Sequence, residues 1–238
     1  MTTASRRLPL EDRLPTANFG FAGADLVCDW TGCLYWPAED LLVVSDLHLE
    51  KGASLAARGQ LVPPYDTGAT LRLLADRLGH WRPARVVSLG DSFHEEHSSG
   101  RMPERYRAEL AAMMTGRDWV WVAGNHDPAP PAGLGGVSCE ELVIGAVTLR
   151  HAPRPGWPGP EIAGHLHPVA RVLRRGRSVR RRCFATDGRR LVMPSFGAYA
   201  GGLGLREPAF DGLFEEARLR AHVLGRGRVY TIAGTHLV

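Results

Sequence analysis

Residues 41–48 read LLVVSDLH, an apolar run that stops abruptly at an Asp-x-His cluster. The same arrangement returns twice, since residues 86–91 read VVSLGD and residues 119–127 read WVWVAGNHD. Short apolar runs of this kind predict buried strands, and the carboxyl ends of neighbouring parallel strands lie at one edge of a sheet. Asp, Asn and His are not expected at the ends of these runs in a hydrophobic core, because burying polar groups without partners costs free energy. The sequence therefore predicts an α/β fold that gathers these side chains into one site.

Two segments between these runs predict helices. Residues 63–66 read PPYD, which predicts that the chain turns and that Asp66 caps the start of a helix ending near Gly79. Residues 103–114 predict a second helix, which Gly116 would end. Helices between strands form β-α-β units, which bury one face of a sheet.

The second half of the chain predicts mostly strands. Short runs that predict strands occupy residues 142–148, 162–173, 179–186 and 191–193, and Asp187-Gly188 predicts a hairpin turn. An α/β half followed by a β-rich half predicts a four-layer α-β-β-α sandwich of two mixed sheets. Residues 1–23 are predicted to be an N-terminal arm, held loosely or added as an edge strand, and residues 24–238 a single domain.

The composition excludes several classes of protein. The 238 residues contain no apolar run of the roughly 18 to 20 residues that a membrane-spanning helix needs. Residues 1–13 lack the apolar region of a secretory signal peptide, which predicts a cytoplasmic protein. The four cysteines form no C-x-x-C pair, so neither a disulfide framework nor a thiolate metal site is indicated. A symmetric dimer is compatible with the sequence.

Five polar clusters point to bound metal ions. They are Asp46-Leu-His48, Gly90-Asp91, Gly124-Asn-His-Asp127, His151 and Gly164-His-Leu-His167. Imidazole, carboxylate and amide ligands together favour Mn, Fe, Zn, Co or Ni over Ca or Mg. Two such ions sharing one carboxylate can activate water and hold a phosphoryl group. The sequence thus predicts two divalent metal ions, with Mn the first choice, and a phosphoester substrate.

Each residue type also has an ordinary structural use. Isolated His48, His165 and His167 would be interpreted as core histidines with hydrogen-bond partners. Asp91 and Asn125 could cap the structure that follows their strands, and His151 could simply end a strand. The recurrence of polar clusters after three apolar strands favours metal binding.

The ordered set D-x-H, G-D, G-N-H-D, H and G-H-x-H resembles the calcineurin-like metallophosphoesterase superfamily. The resemblance implies a first metal site of Asp46, His48 and His167, a second of Asn125, His151 and His165, and Asp91 as the bridge between them. It also implies that His126 acts near the leaving-group oxygen, as a general acid or by stabilising charge. Asp127 would then fix the tautomer and orientation of His126.

A narrower resemblance involves most of residues 25–205. The stretches 45–52 (SDLHLEKG), 58–60 (RGQ), 63–66 (PPYD), 89–94 (LGDSFH) and 194–202 (PSFGAYAGG) resemble the ligase-associated PdeM phosphoesterases. That family is regarded as a DNA-repair endonuclease encoded beside an ATP-dependent DNA ligase, an exonuclease-like protein and a helicase. The resemblance therefore implies a phosphodiester in DNA as the substrate and these proteins as functional partners.

Basic and polar residues outside the clusters have two interpretations. His94 and Arg58 could bind substrate, or they could be ordinary surface groups. The densest charge is a run of arginines that could bind a nucleic-acid backbone, or form the charged solvent face of an edge hairpin; its members are Arg171, Arg174, Arg175, Arg177, Arg180, Arg181, Arg182, Arg189 and Arg190. The leading hypothesis is a dinuclear-metal phosphodiesterase that cleaves DNA. The alternatives are a phosphomonoesterase or cyclic-nucleotide phosphodiesterase on the same site, and a catalytically idle scaffold that binds proteins.

Overall fold

A computed structural model describes residues 16–60, 62–129, 131, 133–174 and 177–238. The described chain forms two mixed sheets that pack face to face. The first sheet has seven strands in sequence order: β1 (Thr16–Phe21), β2 (Ala24–Asp29), β3 (Leu34–Trp36), β4 (Leu41–Val44), β5 (Arg85–Leu89), β6 (Asp118–Val122) and β7 (Val137–Cys139). Strands β4 to β7 are parallel, and the others pair antiparallel.

The second sheet has eight strands. They are β8 (Glu141–Ile144), β9 (Val147–Arg150), β10 (Glu161–Ala163), β11 (Val169–Arg174), β12 (Arg177–Thr186), β13 (Arg190–Val192), β14 (Arg220–Leu224) and β15 (Val229–Ala233). Their order is β15-β14-β12-β13-β10-β9-β8, and β11 lies outside this order, paired with β12. Strands β9, β10 and β13 are parallel, so their carboxyl ends meet at one edge as those of β4, β5 and β6 do.

Apolar side chains fill three layers. Leu41, Val43 and Val87 of the first sheet pack against Leu149 and Phe184 of the second. Because side chains alternate along a strand, Leu42 and Val86 point to the other face. There they pack against helices α2 (Asp66–Trp81) and α4 (Glu104–Met114). Two short helices, α1 (Lys51–Ala57) and α3 (Ser98–Arg101), follow β4 and β5.

The outer face of the second sheet is covered by residues 203–219. Leu205, Phe210 and Leu213 from this segment pack on Cys183 and Ala221 of the sheet. Pro208–Phe210 is a single 3-10 turn, so this layer consists mostly of turns. The predicted layered sandwich of two mixed sheets is confirmed.

Several local predictions differ from the structure. Asp66 does not cap α2 with its side chain, because its Oδ2 instead accepts the backbone N–H of Gly52 at 2.9 Å. The run at residues 142–148 is a hairpin of β8 and β9, and the run at 162–173 is split into β10 and β11 by the loop that carries His165 and His167. Strands β7, β14 and β15 and the two short helices were not predicted.

The N-terminal arm lies partly outside the described residues, which begin at Thr16. Within them, β1 pairs with β2 along its whole length, from Thr16 opposite Asp29 to Phe21 opposite Ala24. The division into an arm and one domain stays a prediction. Among the described residues, no helix combines the length and the apolar character needed to cross a bilayer.

Candidate metal centre

The predicted ligands meet where the parallel strands of both sheets end. Asp46 and His48 follow β4, Asp91 follows β5, and Asn125 follows β6. From the second sheet, His151 follows β9, and the loop with His165 and His167 follows β10. Backbone bonds join the two sheets here, since Phe196 donates to the carbonyl of Ser45. The sandwich therefore brings together residues up to 121 positions apart in sequence.

Asp46, His48 and His167 form a first group of potential ligands, with one donor atom from each within 4.8 Å of the others. His167 Nε2 lies 3.1 Å from Asp46 Oδ1. The other carboxylate oxygen of Asp46 accepts the hydroxyl of Ser45 at 2.5 Å. Asp46 is thereby held with one oxygen turned toward the histidines.

Asp91, His151 and His165 form a second group with the same spread of donor atoms. His151 Nε2 lies 3.4 Å from Asp91 Oδ2 and 3.1 Å from His165 Nδ1. The Asn125 side-chain oxygen lies 2.9 Å from the same nitrogen of His151. Asn125 thus lies beside the second group, and its role as a metal ligand stays a prediction.

Asp91 lies between the two groups. Its Oδ2 is 4.0 Å from His48 Nε2 and 3.4 Å from His151 Nε2, while its Oδ1 accepts the backbone N–H of His126 at 2.9 Å. One oxygen therefore holds the loop after β6, and the other faces donors of both groups. This placement is what a bridging carboxylate needs; the bridging role itself stays a prediction.

The donor atoms fit divalent metal ions. Both ring nitrogens of His48 are buried and have no hydrogen-bond partner among the described residues. Buried polar atoms in proteins almost always have a partner, so such orphaned nitrogens call for one. Nitrogen and oxygen donors gathered within 4.8 Å are the set that transition-metal ions such as Mn or Fe accept.

The protonation states suit metal binding. Burial raises the pKa of Asp91, but the hydrogen bond and charge of His151 outweigh it and lower that pKa to about 2. In a histidine, burial disfavours the charged form, and it lowers the pKa of His48 to about 4. Burial and the charge of His151 also lower the pKa of His165. The carboxylate is thus ionised and these two imidazoles are neutral near pH 7, which are the forms that bind metals.

Many of the ligands have left-handed backbone conformations. The φ angle is 54° at Asp46, 44° at His48, 46° at Asp91, 66° at His165 and 46° at His167. Residues with a Cβ rarely adopt such angles, at a cost of about 1–2 kcal/mol each. Strain of this kind concentrates at functional sites. Five of the seven predicted ligands carry it.

Glycines precede three of the ligands because a side chain would not fit. A Cβ on Gly90 would overlap the ring of His151, and a Cβ on Gly164 would overlap the hydroxyl of Ser45 and approach Asp46 Oδ2. The Gly-Asp and Gly-His pairs of the motifs therefore have a steric cause. The glycines let the two sheets bring their ligands together.

We expect Gly164→Ala to lower the affinity for metal ions, because the added methyl group displaces Ser45 or Asp46. Gly79→Ala is the matched control, since a Cβ at this position in α2 meets nothing within 4 Å. Metal titration by calorimetry would compare the variants. An unchanged affinity in Gly164→Ala would contradict the steric explanation.

His126 lies beside the metal groups with its ring oriented by a carbonyl oxygen. Its Nδ1 donates to the backbone oxygen of His94 at 3.0 Å, and its Nε2 is 4.0 Å from Asp91 Oδ2. The His94 ring stacks on it, with the ring centroids 5.3 Å apart. A carbonyl can only accept, so the proton on Nδ1 leaves Nε2 free to exchange a proton with a substrate.

Asp127, which was predicted to orient His126, bonds to the loop that carries His94, and its orienting role stays a prediction. Asp127 is buried, and its Oδ2 accepts the backbone N–H of Phe93 at 3.0 Å. Burial raises the pKa of Asp127 to about 7. The carboxyl group therefore holds the loop that carries His94, whose carbonyl oxygen accepts the hydrogen bond from His126 Nδ1.

The two predicted substrate-binding residues differ in placement. His94 lines the cleft at the metal groups, whereas Arg58 does not. The Arg58 guanidinium is paired with Glu95 at 2.5 Å. The cleft also contains residues that the sequence interpretation did not select for the site: Lys51, Leu166, Gly201, Gly202 and Leu203. Of these, Gly201 accepts a hydrogen bond from His167 Nδ1 through its carbonyl oxygen, at 3.2 Å. In the sequence, the glycine-rich stretch 194–202 is the feature that could have pointed to it.

A solved structure resembles this chain over nearly its whole length. The nuclease MPE of Pseudomonas putida is 28% identical, and the match covers 91% of this chain and 100% of the nuclease with a TM-score of 0.72. The chain has a metallophosphoesterase-type fold. The predicted enzyme class, a metal-dependent phosphoesterase, agrees with this likeness, while the narrower PdeM assignment stays a prediction.

More distant structures add no evidence on function. Yfce, a phosphoesterase from E. coli, is 15% identical, and the match covers 81% of this chain and 98% of that protein with a TM-score of 0.41. No protein-family model and no curated protein matches the sequence.

Proposed function

We propose that this chain is a dinuclear-metal phosphodiesterase that cleaves DNA. The observation that carries the proposal is the position of Asp91, whose Oδ2 faces both His48 and His151. Two ligand groups joined by one carboxylate are the arrangement of two-metal phosphoester hydrolysis. The similarity to the nuclease MPE supports a nucleic-acid phosphodiester as the substrate.

The residues divide into holding and reacting groups. Asp46, His48 and His167 would hold one ion, and Asn125, His151 and His165 the other, with Asp91 shared. Divalent ions at such positions supply an activated water and stabilise charge on the phosphoryl oxygens.

His126 would act on the leaving group. Its Nε2 would carry the proton that passes to the departing oxygen, or stabilise the charge on that oxygen. The bond from Nδ1 to the His94 carbonyl keeps the ring in this orientation. The side chain is 42% exposed, so a substrate can reach it from solvent.

Three finer statements belong to the same proposal. Mn is the proposed metal because the mixed nitrogen and oxygen donors suit it. A role in DNA repair beside an ATP-dependent DNA ligase, an exonuclease and a helicase rests on the resemblance of the sequence to PdeM proteins. A cytoplasmic location is the third of these statements.

A substrate comparison tests the proposal. The Mn-supplemented protein would be assayed on bis(p-nitrophenyl) phosphate, p-nitrophenyl phosphate, a 2′,3′-cyclic nucleotide, and single- and double-stranded DNA. We expect cleavage of DNA and of the small diester, with little cleavage of the monoester. Activity confined to the monoester or the cyclic nucleotide would replace the DNA proposal by the corresponding alternative. No activity on any of them with any of the candidate metals would favour an idle scaffold.

A further inference from the structure

A basic hairpin formed by β11 and β12 projects from the second sheet beside the metal cleft. Residues 177–182 of β12 pair only with β11, whereas residues 183–186 pair with β13 and β14. The sequence from 162 to 186 contains seven arginines and no Asp or Glu. The hairpin is therefore a strongly positive element anchored in the sheet at one end.

The two faces of the hairpin are distinct because side chains alternate along each strand. Arg171 and Arg180 are directly opposite each other and share one face with Arg182. Arg180 donates to the carbonyl of Gly202, and Arg182 donates to that of Ser195 at 2.6 Å. This face, which we call the site face, is thus turned toward the 195–202 segment. Arg177 and Arg181 lie on the opposite face, which also carries Val172.

The site face leads directly to the metal groups. Gly202, whose carbonyl oxygen accepts the hydrogen bond from Arg180, lines the cleft together with His126 and His167. Its neighbour Gly201 accepts Nδ1 of His167. A chain molecule whose phosphate lay at the metal groups could therefore continue along Arg180 and Arg171.

The charges on the hairpin are not neutralised within the described residues. No ion pair there joins Arg171, Arg177, Arg180 or Arg181 to a carboxylate. Like charges directly opposite each other in a sheet are destabilising, and Arg171 and Arg180 are such a pair. An anionic partner would remove this repulsion.

Other members of the arginine run have structural roles. Arg190 is buried and ion-paired with Glu161, so it is not part of a basic surface. Arg182 bonds the carbonyl of Ser195 and is only partly exposed, whereas Arg171 and Arg180 are exposed. The contrast separates arginines that support the fold from Arg171 and Arg180, whose charge faces solvent near the cleft.

We propose that the site face of the β11–β12 hairpin, through Arg171 and Arg180, binds the sugar-phosphate backbone of the DNA strand whose phosphodiester lies at the metal groups. The inference rests on the proposed function, because it assumes a polynucleotide substrate. Cations that lie outside the metal groups suit a polyanion with several phosphates rather than a single phosphate group. The partner is bound by charge, without recognition of base sequence.

Two double variants of the same hairpin provide the test. Arg171→Gln with Arg180→Gln removes two charges from the site face, and Arg177→Gln with Arg181→Gln removes two from the opposite face. Gln keeps an N–H donor for the carbonyl of Gly202, and removing the repulsion between Arg171 and Arg180 should not lower the melting temperature. Binding of a labelled single-stranded phosphorothioate oligonucleotide to the Mn-loaded full chain would be measured by fluorescence anisotropy over a range of salt concentrations.

We expect the site-face variant to bind roughly 25-fold more weakly at 0.1 M salt and its salt slope to fall by about 1.4, since each lost phosphate contact removes about 0.7 from the slope for a single strand. The opposite-face variant should bind as the unaltered chain does. Equal losses in both variants would overturn the proposal, because they would indicate general attraction only. No loss in either would overturn it as well.

A separate measurement, the activity of the unaltered chain on a small ester, tests the proposed function. Hydrolysis of bis(p-nitrophenyl) phosphate by the Mn-loaded chain requires no oligonucleotide and so reports on the metal centre alone. A chain that hydrolyses this ester but binds the oligonucleotide without dependence on the site face would retain the proposed chemistry and lose the hairpin proposal. The reverse pattern would retain the hairpin as a binding surface and remove the proposed reaction.

Discussion

Replacing Asp91 by Asn is expected to abolish metal-dependent hydrolysis and to reduce the bound metal from two ions per chain to one or fewer. The amide oxygen can still accept the backbone N–H of His126, as Asp91 Oδ1 does at 2.9 Å. The change therefore spares the loop after β6 and removes the charge that faces His48 and His151. Loss of a shared ligand should cost several kcal/mol in the transition state, which corresponds to a rate reduction of about a thousandfold or more.

Elemental analysis and the rate of bis(p-nitrophenyl) phosphate hydrolysis would measure the two effects. Asp118→Asn is the matched control, because Asp118 is exposed at the opposite end of the same sheet, where β6 begins. The control should keep both metal ions and the full rate. If Asp91→Asn kept two ions and normal turnover, the assignment of Asp91 as the shared ligand would be wrong.

Replacing His126 by Ala is expected to lower turnover by about a hundredfold to ten-thousandfold while the metal content stays the same. The His126 side chain approaches the centre through Nε2, which lies 4.0 Å from Asp91 Oδ2, and through the edge-on contact of its ring with that of His48. The backbone N–H that bonds Asp91 remains in the variant. The loss should therefore reflect the reaction and leave the two ligand groups intact.

The choice of leaving group distinguishes the two roles open to His126. A general acid matters for the departure of a basic alkoxide, as in a dinucleotide, and little for p-nitrophenolate, which leaves without a proton. A much larger loss on the dinucleotide would identify proton transfer, and similar losses on both would identify stabilisation of charge. Turnover equal to that of the control His80→Ala, an exposed histidine in the last turn of α2, would contradict either role.

The sequence was sufficient to predict the strands that carry the site. Strands β4, β5 and β6 are short apolar runs, and each ends at a polar cluster that a buried core would not contain. This contrast can be recognised within each segment, without any knowledge of the rest of the chain. It also predicted that Asp46, Asp91 and Asn125 would lie close together, because the carboxyl ends of parallel strands meet.

The remaining features depend on contacts between distant segments. Asp66 looks like a helix cap, but its carboxylate is taken by Gly52, which lies 14 positions earlier. Asp127 adjoins His126 in sequence, yet its carboxylate turns to Phe93 because that N–H lies within reach in the fold. Likewise, Arg190 looks like part of a basic run until Glu161 on the neighbouring strand pairs with it. Local patterns predict elements, whereas partner choice is decided by the packing of the two sheets.

The left-handed backbone of the ligands bears on how such a chain would evolve. Asp46, His48, Asp91, His165 and His167 together cost the folded state roughly 5–10 kcal/mol, which is comparable to the whole stability of a typical domain. Glycine at any of these positions would relax the backbone. A lineage that had stopped using the site would thus gain stability by losing its ligands one at a time. The complete set of strained ligands in this chain is what a working metal site requires, and it weighs against an idle scaffold.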